Sequence, residues 1–239
     1  TVTYTTSGTC SNSSNVSVAI NAVDDASFSY GSTSYCVSAS DPTPTIAGVA
    51  GGTFSSTAGL SINSATGAID VSASTPGTYS VTYATSGVCS NSTNVSVTIN
   101  ALDDASFSYG SASYCVSASD PTPTITGVAG GTFSSTAGLS INASTGQIDV
   151  SASTPGSYTV NYATAGACSN SSNVSVTINA LEDASFSYGS AAYCVSASDP
   201  TPTNTGISAG TFRRTASLSI NSGKGAIDVS ASTPGTYTV

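Results

Sequence analysis

The stretches "SYTVNY" (residues 157–162) and "NVSVTI" (residues 173–178) alternate apolar and polar residues without a break. In the second stretch the two valines and the isoleucine fall on one face, and the serine and the threonine fall on the other. This period-two alternation is typical of a β-strand with one buried and one solvated face. Apolar residues at helical spacing are missing, and the helix formers Glu, Lys and Met are scarce or absent. The sequence therefore predicts an all-β fold.

The whole pattern recurs at a fixed interval along the chain. "INAVDDASFSY" begins at Ile20, "INALDDASFSY" at Ile99 and "INALEDASFSY" at Ile178. A fixed period is the signature of a repeat architecture. We therefore expect the sequence to be a segment of a longer chain, and the segment divides into four parts. They are the end of a truncated repeat (residues 1–22), two complete repeats (23–101 and 102–180) and the beginning of another truncated repeat (181–239).

Turn residues separate the strands within each repeat. "NASTGQ" (residues 142–147) predicts a hairpin in which Gly146 takes a positive φ, and "STPG" (residues 153–156) predicts a turn preset by Pro155. About seven short strands separated by such turns are typical of an immunoglobulin-like β-sandwich. We therefore expect tandem immunoglobulin-like β-sandwich repeats of about 79 residues each.

Composition excludes several classes of partner. Only 6% of the residues are charged, the net charge is -9, and Lys and Arg together number three. Nucleic acids and anionic lipids are bound through basic side chains, so neither is expected as a partner. No apolar run approaches the roughly 18 residues of a membrane helix, so no membrane insertion is expected in this segment.

Longer phrases of the repeat resemble a known family. "AGLSINASTGQIDVSASTPGSYTVNY" (residues 137–162) is similar to the core of Ig-like and cadherin-like domains of bacterial surface proteins. The wider unit, with "FSYGSASYC" and "PTPTITGVAGGTFSS", resembles the tandem repeats of giant cell-surface adhesins or appendage proteins of gliding or filamentous predatory Bacteroidota. The resemblance covers nearly the whole chain. It implies type IX secretion and a location on the cell surface or in an appendage.

Each repeat contains one cysteine in "SYC" or "AYC" and another just before "SNS". Metal sites need clustered ligands, which the spacing does not supply, so disulfides in an oxidising, extracellular compartment are expected. Bonding within each repeat is the first expectation, and a bond between Cys89 and Cys115 across the junction is the alternative. The predicted pairs are Cys36–Cys89 and Cys115–Cys168, with Cys10 and Cys194 pairing outside the chain.

Paired acids mark the junction between repeats. In the motif "NALDD" they form either a solvated hinge whose carboxylate caps a turn, or a calcium site that stiffens the junction. No cofactor other than this possible calcium ion is expected. The candidate calcium ligands are Asp24, Asp25, Asp103, Asp104, Glu182 and Asp183.

The chain has no His to activate a nucleophile, so no catalytic residue is predicted and the chain is not expected to be an enzyme. The remaining hypotheses are a structural shaft of a surface adhesin or filament, and an array of glycan-binding modules. Neighbouring repeats, and identical chains in a bundle or filament, are the expected partners. The only basic residues, Arg213, Arg214 and Lys224, reflect either sequence drift or a contact with an acidic neighbouring chain.

Overall fold

The computed structural model describes residues 1–207 and 209–239 and contains β-strands but no helix among them. The all-β prediction is confirmed. We name four parts of the chain: unit I is residues 23–101, unit II is residues 102–180, segment N is residues 1–22 and segment C is residues 181–239. Segment N forms one antiparallel hairpin of two strands. These strands are β1 (Val2–Thr5) and β2 (Ser13–Val16).

Unit I contains eight strands arranged as two facing layers. The strands are β3 (Phe28–Ser29), β4 (Ser34–Cys36), β5 (Thr45–Ile46), β6 (Thr53–Ser56), β7 (Ser61–Ile62), β8 (Ile69–Asp70), β9 (Gly77–Ala84) and β10 (Ser92–Asn100). The first layer is a four-stranded sheet in the order β4-β10-β9-β6. In this sheet β4 runs parallel to β10, whereas β9 is antiparallel to both β10 and β6.

The second layer of unit I is assembled from two short pairs, β3 with β5 and β7 with β8. The segment just before β5 joins these pairs, because Ile69 N–H donates to the Pro42 carbonyl (3.0 Å) and Val71 N–H donates to the Asp41 carboxylate (3.0 Å). Two layers of this kind, with the first edge strand parallel to the last strand, form an immunoglobulin-like sandwich. The predicted sandwich fold is confirmed.

Unit II repeats this arrangement. Its strands are β11 (Phe107–Ser108), β12 (Ser113–Cys115), β13 (Thr124–Ile125), β14 (Thr132–Ser135), β15 (Ser140–Ile141), β16 (Ile148–Asp149), β17 (Gly156–Ala163) and β18 (Ser171–Asn179). The large sheet has the order β12-β18-β17-β14. Segment C carries only four strands among its described residues. They are β19 (Phe186–Ser187), β20 (Thr203–Asn204), β21 (Ser219–Ile220) and β22 (Ile227–Asp228).

Each unit has eight strands where about seven were expected, because its first strand divides between the two layers. In unit I, β3 belongs to the small layer and β4 to the large sheet. The chain crosses between the layers at Gly31 and Ser32, where the Tyr35 hydroxyl accepts a hydrogen bond from Ser32 N–H (2.8 Å). The sequence pattern carries no sign of this crossing, since two- and three-residue strands are too short to show alternation.

The alternating residues of the two longest strands fill each core. In unit II, Val160, Tyr162 and Val176 are completely buried, and Ile178 is 1% exposed. Aromatic rings tie the two layers together in unit I, where Phe28 from the small layer packs edge-on against Phe54 of the large sheet at 5.4 Å. Each complete unit therefore buries a core of its own.

Gly146 confirms the predicted hairpin between β15 and β16. Its φ is +70°, which is readily available to glycine. The Gly146 carbonyl accepts a hydrogen bond from the Tyr109 hydroxyl, so the turn is tied to the first strand of its unit. Burial raises the pKa of Tyr109 to about 12, and the hydroxyl therefore remains a donor at physiological pH.

Ser217 in segment C occupies a backbone conformation that favours glycine. Its φ is +76°, and the equivalent residues Gly59 and Gly138 have φ values of +104° and +102°. A non-glycine residue is destabilised by roughly 1–2 kcal/mol in the left-handed region, because its Cβ crowds the following carbonyl. Segment C is therefore strained at this turn, whereas units I and II are not.

Ser217→Gly is expected to stabilise segment C by about 1 kcal/mol, because the strain disappears while the unfolded chain gains some entropy. Hydrogen exchange of the β21 and β22 amides in urea measures the change. The matched control is Gly138→Ser, which should destabilise unit II, since its Cβ would also crowd the Tyr158 hydroxyl at 2.9 Å. Equal exchange in wild-type and Ser217→Gly chains would contradict the assignment of strain.

Candidate functional site

The two cysteines of one unit lie at opposite ends of its sandwich. Cys36 ends β4, and the parallel register places it beside Asn100, the last residue of β10. Cys89 lies in the turn between β9 and β10, before β10 begins at Ser92. The nine residues of β10 span roughly 30 Å, whereas a disulfide requires Cα atoms within about 7 Å. The predicted bond between Cys36 and Cys89 is therefore wrong.

The same geometry separates Cys115 from Cys168 in unit II, so that predicted bond is also wrong. Cys115 lies beside Asn179 at the end of β18, and Cys168 lies in the turn that precedes β18. The alternative bond between Cys89 and Cys115 is not formed either, because both residues carry free thiols. Cys10 and Cys194 are also free in the structure, and their pairing outside the chain stays a prediction.

A disulfide joins Cys36 of unit I to Cys168 of unit II, with Cα atoms 5.5 Å apart. The Cys36 sulfur also lies 3.4 Å from the Ala167 carbonyl oxygen, and Cys168 is only 7% exposed. The bond closes a loop with a sequence separation of 132 residues. In the chain-entropy model a loop of this size contributes about 5 kcal/mol to stability. The expected disulfide chemistry is present, but it links two repeats.

Both cysteines are brought to the junction by contacts with the linker. On the side of unit I, Val37 N–H donates to the Asn100 carbonyl (2.9 Å). On the side of unit II, Asp103 N–H donates to the Cys168 carbonyl (2.9 Å) and the Asn170 side chain donates to the Asp103 carbonyl (3.0 Å). Only Ala101 and Leu102 separate these anchors along the chain. We call this region, residues 36–37, 100–103 and 167–170, the seam.

The second acid of each junction caps the turn that opens the following unit. The Asp104 carboxylate accepts hydrogen bonds from the Ser106 N–H (2.9 Å) and the Ser106 hydroxyl. These bonds favour the charged form and hold the pKa of Asp104 below its usual value. Asp25 and Asp183 also have lowered pKa values, because Ser27 and Ser185 donate to their carboxylates. The contacts support the turn-capping interpretation for these three residues.

The first acid of the junction plays a different part in the seam. Asp103 Oδ2 is buried without a hydrogen-bond partner. A Cβ atom at Gly166 would lie 2.3 Å from this oxygen, so a larger residue at that position would require the Asp103 side chain to move. Asp24 has the corresponding main-chain contacts, since its N–H donates to the Cys89 carbonyl (2.9 Å) and its carbonyl accepts from Asn91 (3.0 Å).

No group of three or more His, Cys, Asp or Glu side chains is arranged to hold a metal ion within residues 1–207 and 209–239. Glu182 is exposed beside the turn capped by Asp183. Calcium binding at the junctions stays a prediction. The basic residues Arg213, Arg214 and Lys224 are all exposed, and their contact with another chain also stays a prediction.

An open groove of about 590 Å³ lies in segment C. Its apolar lining includes Leu218, Ile227 and Val229, whose counterparts in unit II (Leu139, Ile148 and Val150) lie in a core completed by β17 and β18. None of the described lining residues is acidic, basic or a cysteine. The groove is thus an uncovered part of a sandwich core.

Sequence reasoning missed the residues that build the seam. The asparagines Asn91 and Asn170 recur in "CSNS", and this repetition was the available signal for their role. The pairing of Cys36 with Cys168 left no such signal, because it depends on the direction of β4 relative to β10. Within the part of the chain that the structure describes, there is also no apolar helix of membrane-spanning length.

No protein-family model matches the sequence, and comparison with curated proteins found no match. One similar solved structure is mouse cadherin-23 EC22-24, with 13% identity over 85% of this chain and 88% of that chain and a TM-score of 0.33. Human CDH23 EC21-23 is another, with 13% identity over 81% of this chain and 85% of that chain and a TM-score of 0.34. A protocadherin gammaB7 EC3-6 cis-dimer structure has 12% identity over 92% of this chain and 73% of that chain and a TM-score of 0.36. Likeness at this level carries no argument about function, which must come from the chain's own geometry.

Cleavage at the acid-labile Asp–Pro bonds, which follow Asp41, Asp120 and Asp199, identifies the disulfide pairing from the fragments that stay joined. Free thiols are alkylated first, and the unreduced chain is then cleaved in acid, where thiolates are too scarce for disulfide exchange. We expect fragment 1–41 to be joined to fragment 121–199, while fragments 42–120 and 200–239 are released. Mass spectrometry before and after reduction identifies the joined pair.

Each rejected pairing predicts a different set of fragments in the same experiment. Bonds within units would join fragments 1–41, 42–120 and 121–199 into a single species. A bond between Cys89 and Cys115 would lie inside fragment 42–120 and join nothing. Either result would contradict the seam disulfide.

Proposed function

We propose that this chain is a structural repeat segment, the shaft of a large extracellular adhesin or of a filamentous or hook-like surface appendage used for attachment. The observation that carries the proposal is the seam, where a two-residue linker and a disulfide both connect unit I to unit II. Two covalent connections at one junction restrict bending and twisting between neighbouring domains. Such a junction suits a shaft that transmits load, because force passes between the units through two covalent connections.

The near identity of the units supports the same proposal. Units I and II share their strand order and core positions, including Tyr83 and Tyr162, which are both fully buried. A glycan-binding array would require exposed aromatic side chains in a loop. The tyrosines of the complete units are instead buried or half-buried in the sandwiches. The geometry therefore favours a spacer over the alternative of a glycan-binding array.

The setting follows from the chemistry of the seam and the surface. Stable disulfides form in oxidising compartments, so we place the shaft outside the cell. Hydroxyl side chains cover the outer face of the large sheet, where Thr78 and Thr98 form a hydrogen bond across strands (3.0 Å). Neighbouring chains could pack through such uncharged faces with little electrostatic cost. We therefore propose identical chains in a bundle or filament as partners, in addition to neighbouring repeats.

Removing whole repeat periods from the full-length gene tests the shaft function. Each period removed is expected to shorten the appendage by the same length, because one sandwich is lost each time, while binding to the target is unchanged. Electron microscopy measures the length and a cell-attachment assay measures binding. Removal of one whole period preserves the strand register wherever it begins, so the control is a deletion of half a period, which breaks a sandwich. Loss of target binding after removal of whole periods would favour the glycan-binding alternative.

A further inference from the structure

The bonded cysteines occupy two recurring positions of the repeat. Cys36 corresponds to Cys115 and Cys194, and Cys168 corresponds to Cys10 and Cys89, each one or two periods away along the chain. A separation of 132 residues from a cysteine at the Cys36 position to a later cysteine at the Cys168 position occurs once in residues 1–239, between Cys36 and Cys168 themselves. This spacing accounts for the four free thiols of the structure.

We propose that the seam disulfide recurs at every junction of the array, joining the cysteine that ends the second strand of one unit to the turn cysteine at the same separation of 132 residues. The array itself rests on the proposed function, but the bond does not. Two thiols form each disulfide and give up two protons and two electrons. A small-molecule disulfide is the oxidant, and it is reduced to two thiols by exchange through a mixed disulfide.

Both halves of the seam are already built around the free cysteines. Cys115 lies beside Asn179, and Val116 N–H donates to the Asn179 carbonyl at 3.0 Å, as Val37 does to Asn100. At the end of unit I that follows segment N, the Cys89 carbonyl accepts a hydrogen bond from Asp24 N–H (2.9 Å). This contact repeats the one between Cys168 and Asp103. Cys115 is exposed, so its thiol is accessible to a turn cysteine of a following unit.

Recurring bonds of this length form overlapping loops. The loop that begins at Cys36 and the next one, which begins at Cys115, share residues 115–168, so every peptide bond inside a long array lies in at least one loop. A single backbone cleavage therefore leaves the array covalently intact until the disulfides are reduced. The bonds also carry force. Alternate bonds form a continuous covalent path, in which only the stretches of chain between one bond and the next, such as residues 169–193, are extensible.

Force spectroscopy of the full chain, held at its two ends, tests the load-bearing role of the bond. In the oxidised chain the stretch between Cys36 and Cys168, a separation of 132 residues, is shielded from force. Reduction should therefore lengthen the fully unfolded chain by about 450 Å, at ~3.5 Å per residue. Cys168→Ser should give the long chain without reductant, whereas the control variant with Cys89→Ser and Cys115→Ser should keep the short one. Equal lengths before and after reduction would overturn the proposal.

Recurrence is tested by inserting a second copy of residues 102–180 after residue 180. The lengthened chain has eight cysteines, and we expect two bonds and four free thiols, with Cys115 joined to the turn cysteine of the inserted copy. Thiol titration and mapping of the Asp–Pro fragments measure both quantities. A single bond, or any bond within one unit, would overturn recurrence. This outcome differs from failure of the shaft function, which would appear as lost target binding and would leave the bond pattern unchanged.

Discussion

The parallel pairing of β4 with β10 determines where each unit can be joined to the next. Because the two strands run in the same direction, Cys36 lies at the end where β10 leaves the sandwich, beside Asn100. The linker begins at that same point, so the first cysteine of a unit faces the following unit. An antiparallel β4 would place Cys36 toward the opposite end, near the turn that holds Cys89. The seam bond would then be impossible.

The other half of the seam depends on the turn between β17 and β18. This turn folds back over the start of its own unit, where Asp103 and Asn170 hold it through two hydrogen bonds. Cys168 is therefore presented to the preceding unit and not to the one that follows. Since each unit carries one cysteine at each end, a single kind of bond can be copied along an array of any length. The cores of units I and II form two separate clusters with no residue in common.

The sequence predicted the interior of each sandwich well, because the alternation of apolar and polar residues along a strand indicates which side chains are buried. Val176 and Ile178 were expected on one inward face and are buried, and the glycine turn at Gly146 has the expected positive φ. The disulfide pairing was wrong because the interval along the chain does not reveal which end of a sandwich a residue occupies. That information lies in strand direction and register, which the alternation of "SYC" is too short to indicate. The division of the first strand between two layers was missed for the same reason.

We infer that the seam disulfide makes two consecutive repeats behave as one body. Nitrogen-15 relaxation and residual dipolar couplings of units I and II test it most directly, measured before and after reduction and with the Cys168→Ser variant as the matched control. We expect a single alignment tensor and one rotational correlation time for both units in the oxidised chain. After reduction, and in the variant, the two tensors should differ and the correlation times should fall. Two independent tensors in the oxidised chain, with no change on reduction, would contradict the claim.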